Sequence, residues 1–162
     1  METNTNRTWV IIRILLGFIF FWAAIDKIFG LGFATAPEEA WLAGVSPTFG
    51  YLNFATYGPF AGIMQSMAGN PVVDILLVGG QLLIGLSLIL GVGVKIAGYS
   101  GALMMLLIYL SAFPGEFNPL IDEHIIYIVL LIGLAQAEAG KVLGLGKVWA
   151  ETDIVQKYPI LE

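Results

Sequence analysis

The residues of this chain that could do chemistry are few, and most of them interrupt stretches that are otherwise apolar. Arg13 sits inside the first apolar run, and Asp26 and Lys27 end it. Asp74 and Gln81 lie in the second run, Asp122, Glu123 and His124 open the last one, and Glu138 closes it. A charge deep in a bilayer costs about 2.5–3.5 kcal/mol on insertion scales, so each of these groups calls for a partner or a role. At about 100° per residue, Arg13 and Lys27 fall within roughly 40° of each other on one helix face, about 21 Å apart along the axis. Gly17, Phe20 and Ala24 lie between them on that face. Asp74 and Gln81, seven apart, share a face; His124 and Glu138 share another, with Tyr127 close by. An alternating four-helix path gathers Asp26, Lys27, Asp74, Glu116, Asp122, Glu123 and His124 at one end, the outer one. One strong cation, one switchable imidazole and several carboxylates are equipment for binding an anion and moving protons. At the other end Arg13 and Glu138 are expected to come within reach of each other.

Each residue also has a purely structural reading. Arg13 can snorkel to the headgroups, and Asp26-Lys27 can simply end a helix at the interface. Asp122 and Glu123 suit a helix N-terminus, where the dipole favours negative charge. His124 can serve as a buried hydrogen-bonder, Gln81 as glue between helices, and Glu138 as a solvated end residue. The functional reading rests on their joint placement.

The elements that must position them follow from composition. Of 162 residues, 58% are hydrophobic and only 12% charged, against about 25% charged in soluble domains. With 20 glycines and 12% aromatics, the balance suits helices packed in lipid. The chain reads as a single all-α domain over 1–162, a bundle of four transmembrane helices at about 8–28, 72–94, 95–113 and 120–140. The first apolar run is longer than the h-region of a signal peptide and is followed by no A-x-A site, so it reads as a retained helix. Arg7, Lys95, Lys141, Lys147 and Lys157 all fall on one side of this path, which predicts cytoplasmic N- and C-termini in a cytoplasmic-membrane protein. The segment 30–71 contains no Lys or Arg. Gly58-Pro59 interrupts its apolar part, so it reads as an interfacial or re-entrant cap on the outer face. Gly93, Ala97 and Gly101, and likewise Ser87 and Gly91, offer small faces for close helix contact.

The absence of cysteine excludes disulfides, thiol redox chemistry and Cys-ligated clusters within this chain. A single histidine weighs against an all-protein metal site, and a net charge of −5 weighs against nucleic acid. No metal or flavin is expected in this chain.

The stretch Arg13-Ile-Leu-Leu-Gly-Phe-Ile-Phe-Phe-Trp-Ala-Ala-Ile-Asp-Lys27 resembles the opening helix of the DoxX/DoxD family. So does Gln81-Leu-Leu-Ile-Gly-Leu-Ser-Leu-Ile-Leu-Gly91 in the second helix. Asn118-Pro-Leu-Ile-Asp-Glu-His-Ile-Ile-Tyr127 is similar to the family's approach to its last helix, and Trp41-Leu-Ala-Gly-Val-Ser-Pro-Thr48 to the outer segment of the DoxD-like branch. The resemblance spans about Arg13 to Ala137. An amide stands at Gln81 where the family is expected to carry an acid as often, and an amide cannot relay a proton as a carboxylate does.

The resemblance implies a four-helix membrane subunit tied to quinone-linked redox chemistry. DoxD is the membrane subunit of a thiosulfate:quinone oxidoreductase, with a small separate partner, DoxA. On that basis Lys27 and His124 are expected to hold a sulfur oxyanion such as thiosulfate at the outer face. Arg13, with Gln81 nearby in the bundle, is expected to hold a second anionic group or a quinone carbonyl. Trp22, Phe20 and Phe21 are expected to flank the quinone ring, with Asp26 or His124 carrying protons. The alternative is a non-catalytic scaffold that anchors a soluble redox partner, its polar residues serving as internal glue. A carrier is disfavoured, because four short helices without an inverted repeat make a poor alternating-access machine. Homo-oligomerisation is left open.

Overall fold

The computed structural model describes residues 2–115 and 118–161. The described chain is all-helical, with one isolated backbone bridge between Tyr57 and Ala112. Four longer helices carry the architecture: α1 (Glu2–Phe29), α2 (Pro71–Leu90), α3 (Val94–Ser111) and α4 (Glu123–Gln136). The first three are long and apolar enough to cross a membrane, which points to a membrane protein. Their outward side chains agree, since Ile11, Leu15, Phe18, Leu83, Leu103 and Leu107 are all exposed. The fourth has 14 residues. At about 1.5 Å per residue it measures about 21 Å, against a hydrocarbon core of about 30 Å. It is shorter than the predicted 120–140 because Asp122 fixes its start and Glu138, with φ 48°, breaks it.

Local chemistry sets the helix ends. Asn70 caps α2 by accepting from the Val72 amide, and Pro71 fills the first helical position, where no amide donor is needed. Gly91 stops the same helix in the left-handed conformation, at φ 75°. Only Val92 and Gly93 then separate it from α3, so the two form a tight antiparallel hairpin. Asp122 caps α4, accepting from the amides of His124 and Ile125.

Small residues set the packing. Added β-carbons at Gly17 and Gly85 would lie 2.9 Å from the Ile89 amide and 2.5 Å from the Phe21 amide, so α1 and α2 touch along their backbones. Gly98 brings α3 equally close to α4, its added β-carbon falling 2.6 Å from the Leu131 carbonyl oxygen. The predicted Gly93–Ala97–Gly101 series gives the looser side of this contact: Gly101 meets only side chains of Leu131 and Ile84, and Gly93 belongs to the turn. Leu16, Phe20, Ile84, Leu88, Leu131 and Leu134 form the shared core.

Helix α2 is irregular. Ile75–Gly79 is a π turn between Asp74 and Gln81. A π turn accommodates an extra residue in the helical spiral, so seven-residue spacing no longer puts Asp74 and Gln81 on one face. Both side chains are nonetheless buried. Lys95 stands in the first turn of α3 rather than in a loop.

The segment after α1 folds back over the end of the bundle where α1 stops, the expected outer one, as short turns, a π turn at Tyr51–Ala55 and a short helix Ala61–Ser66. Two buried carboxylates hold it. Asp26 accepts from the amides of Ala34 and Thr35 at 2.9 Å each, and more weakly from Phe33 at 3.4 Å. Asp74 accepts from the Ser46 hydroxyl at 2.9 Å and from both the amide and the hydroxyl of Thr48. Further along, the Tyr57 amide donates to the Ser111 carbonyl at 3.1 Å. Hydrogen bonds to charged groups contribute about 1.5–3 kcal/mol each, and a buried donor left unpaired costs about 1–3 kcal/mol. Asp74→Ala should therefore lower the thermal midpoint in detergent and open 44–50 to proteolysis while leaving the helices intact. Unchanged cleavage in that segment would show that Asp74 does not hold it.

Candidate functional site

The predicted outer cluster is divided by the fold. Asp26 is used up: its carboxylate, 2% exposed, is committed to three loop amides. That geometry holds a loop and leaves little for proton transfer. Lys27 turns back along its own helix toward the Ala23 carbonyl, at 3.4 Å. His124 turns to Asp122, with Nδ1 2.9 Å from Oδ2. No hydrogen bond or ion pair joins Lys27 to His124 among the described residues. Glu116 lies outside the described residues.

Asp122 does two jobs with one carboxylate. Oδ1 caps the helix and Oδ2 meets the imidazole. Burial alone would raise its pKa, but the hydrogen bond and charge of His124 and the two cap amides outweigh that and hold it below its ordinary value. A carboxylate on Nδ1 orients the ring, as in an acid–base imidazole held by a carboxylate. Ligand atoms of Asp122, Glu123 and His124 lie within 4.8 Å of one another, a set that could hold a metal. Both Asp122 oxygens already have partners, however.

The aromatic trio also separates. Phe20 is buried in the core beside Leu16, Ile84 and Leu88. Trp22 stacks on Phe18 at 5.8 Å and meets Phe33 edge-on at 5.1 Å. Phe21 presents its backbone to Gly85. These three therefore do not make one clamp for a flat ring.

Arg13 is completely buried at the opposite end, the expected inner one. Its Nη2 donates to the Leu143 carbonyl at 2.7 Å, while Nε and Nη1 have no hydrogen-bond partner. Glu138, the expected partner, instead holds Lys141 at 3.0 Å. Glycines make room for the guanidinium: a β-carbon at Gly144 would lie 2.6 Å from Nη1, and one at Gly91 would collide with it. Gln81 is also buried, with Oε1 unpaired.

A large concavity is a feature that sequence reasoning missed. Between α2 and α3 a groove of about 730 Å³ runs along the surface. Leu76, Leu83, Met104 and Leu107 supply its apolar walls, Ser87 and Ser100 punctuate them, and Tyr51 and Ser111 stand at its outer end. The Ser111 hydroxyl donates to the Ile108 carbonyl at 2.6 Å, so the Tyr51 hydroxyl, 2.6 Å away, donates to Ser111. The phenol oxygen keeps lone pairs to accept another donor. Burial pushes the Tyr51 pKa up, against a smaller opposing effect of the Ser111 bond. The serines in apolar helices were the available signal.

A folded-state pKa held low means that the charged carboxylate stabilises the fold. That stabilisation is complete above the unfolded carboxylate pKa of about 3.9 and is lost as pH falls through the folded value. Asp122→Ala should cost about 0.5–2 kcal/mol at pH 7. In thermal melts its deficit against the parent should shrink on acidification below pH ~4; a pH-independent deficit would contradict the charged cap. Comparison with protein-family models, curated proteins and solved structures gave no match in any of the three. The DoxX/DoxD resemblance thus stands on the quoted residues alone.

Proposed function

We propose that the chain is a membrane subunit of a quinone-linked oxidoreductase, DoxX/DoxD-like in character, and that the α2/α3 groove is where the quinone binds. The groove itself carries this reading. Its volume is within the range of about 300–1,000 Å³ found for small-molecule sites. From Ile96 to Ser111 it follows α3 for about 22 Å at about 1.5 Å per residue, long enough for an isoprenoid tail. Tyr51 and Ser111 pair at one end, where a ring would sit, while Ser87 and Ser100 lie farther along the path of the tail. Tyr51, donating to Ser111, keeps lone pairs able to accept from a quinol hydroxyl. This moves the quinone-binding residues from Trp22, Phe20 and Phe21 to Tyr51, Ser111, Ser87 and Ser100.

Electrons come from a redox partner such as a DoxA-like subunit in this reading. A sulfur oxyanion near Lys27 is the donor it names. The reading places α4 across the bilayer despite its length, puts the outer segment at the membrane interface, and sets both termini in the cytoplasm. The scaffold alternative has an observation of its own: Asp26, the expected proton carrier, is saturated by loop amides.

A short-chain ubiquinone or menaquinone analogue titrated into detergent-solubilised protein should quench tryptophan fluorescence saturably. Ser100→Phe, which fills the groove from an exposed position, should weaken that binding at least about tenfold, equivalent to about 1.4 kcal/mol. Saturable binding unaffected by Ser100→Phe would remove the quinone from this groove. No saturable signal, with helicity intact by circular dichroism, would favour the scaffold.

A further inference from the structure

The chain beyond α4 folds back against the end of the bundle where α2 stops and is tied there at several points. Arg13 Nη2 donates to the Leu143 carbonyl at 2.7 Å. The Leu145 amide donates at 2.9 Å to the carbonyl of Leu90, the last residue of α2. Farther on, the Trp149 indole donates to the Leu161 carbonyl at 2.7 Å. That oxygen lies 3.6 Å from where a β-carbon on Gly93, in the α2–α3 turn, would stand. The segment 143–161 is thus pinned beside the last residue of α2 and the turn into α3.

These ties also fix its depth. The span Pro71–Leu90 has 20 residues. At about 1.5 Å per residue it measures about 30 Å, the thickness of a hydrocarbon core. Leu90 and Gly93 therefore stand at the boundary between acyl chains and headgroups, and so does the segment held against them. At that level Leu143, Leu145, Val148, Ile154, Tyr158 and Ile160 are all exposed. Removing such side chains from water is favourable by about 25 cal/mol per Å² of apolar surface. The short helix Asp153–Lys157 suits this position. With Val155 on its buried side, about 100° per residue sets Ile154 on one flank and Gln156 on the other, and Asp153 and Lys157 away from the bundle. One apolar flank and one polar flank are what a helix lying in the membrane plane requires. Trp149 and Tyr158 add amphipathic rings of the kind that settle at headgroup level.

We propose that 143–161 is an in-plane membrane anchor, whose apolar side chains enter the acyl chains of the adjoining lipid leaflet and continue the apolar outer surface of the spans. Lys147 and Lys157 are balanced by Glu151 and Asp153, so the attachment is apolar and needs no anionic lipid. It does not depend on the quinone reading.

The chain has no cysteine, and Val148, Ile154 and Gln156 are exposed, so single nitroxide labels can be placed there without disturbing the core. Val148→Cys, Ile154→Cys and Gln156→Cys are labelled in the full chain in phosphatidylcholine nanodiscs. Collisions are then measured with oxygen, which concentrates in acyl chains, and with a water-soluble nickel chelate. Labels at Val148 and Ile154 should collide with oxygen and lose collisions with nickel, while Gln156 keeps them. Added phosphatidylglycerol should leave this pattern unchanged. Equal nickel collisions at all three positions would place the segment in water and overturn the anchor. Shielding of Val148 and Ile154 from both reagents would also overturn it, since a second copy or another protein then covers that surface.

Discussion

Two carboxylates inside an apolar protein must be given hydrogen-bond donors, and meeting that demand organises the outer half of this molecule. Asp26 ends α1 and collects amides from 33–35, while Asp74 begins α2 and collects Ser46 and Thr48. Between them they fix a segment of some forty residues that has no long helix of its own to rely on. The same bonds satisfy backbone amides that neither lipid nor core could satisfy. The polar residues that most resemble catalytic groups in the sequence thus serve first as fasteners.

With the outer segment fixed, the bundle divides into two close pairs, α1 with α2 and α3 with α4, each drawn together at glycine. The seam between the pairs is looser. Met104 reaches across it to Gly80, and Ile84 to Gly101, but elsewhere it opens into the groove. An opening of this kind follows from the residue sizes: backbone contact within each pair leaves side-chain contact between pairs. The Tyr51–Ser111 bond closes the groove's outer end, so the outer segment also shapes the groove.

Much of the architecture was legible in the chain. Apolar runs marked the helices, and Asp122 suited the start of the last one, because each acts on the few residues around it; the second run, read as 72–94, overshoots Gly91, where the helix stops. The helix-capping reading of Asp122 was accessible for the same reason. Other features depend on distant parts of the chain. The π turn at Ile75–Gly79 breaks the constant angular step on which the shared face of Asp74 and Gln81 relied. The Leu143 carbonyl that meets Arg13 is 130 residues away, on a loop whose return no periodicity announces. The donors of Asp26 are backbone amides, which carry no side-chain signature. The groove is a gap, and composition does not record where a gap falls.

The short α4 gives the bundle an uneven waist. Spans of 23, 20 and 18 residues share the molecule with a helix of 14. Where α4 crosses the bilayer, as proposed, a bilayer matched to the longer spans must thin beside it, at a cost of fractions of a kcal/mol per ångström of mismatch. The annulus of lipid around this protein is therefore not uniform, and its thin sector lies along the exposed side of α4 that carries Ile126 and Val129. Covering that sector with protein would relieve the mismatch.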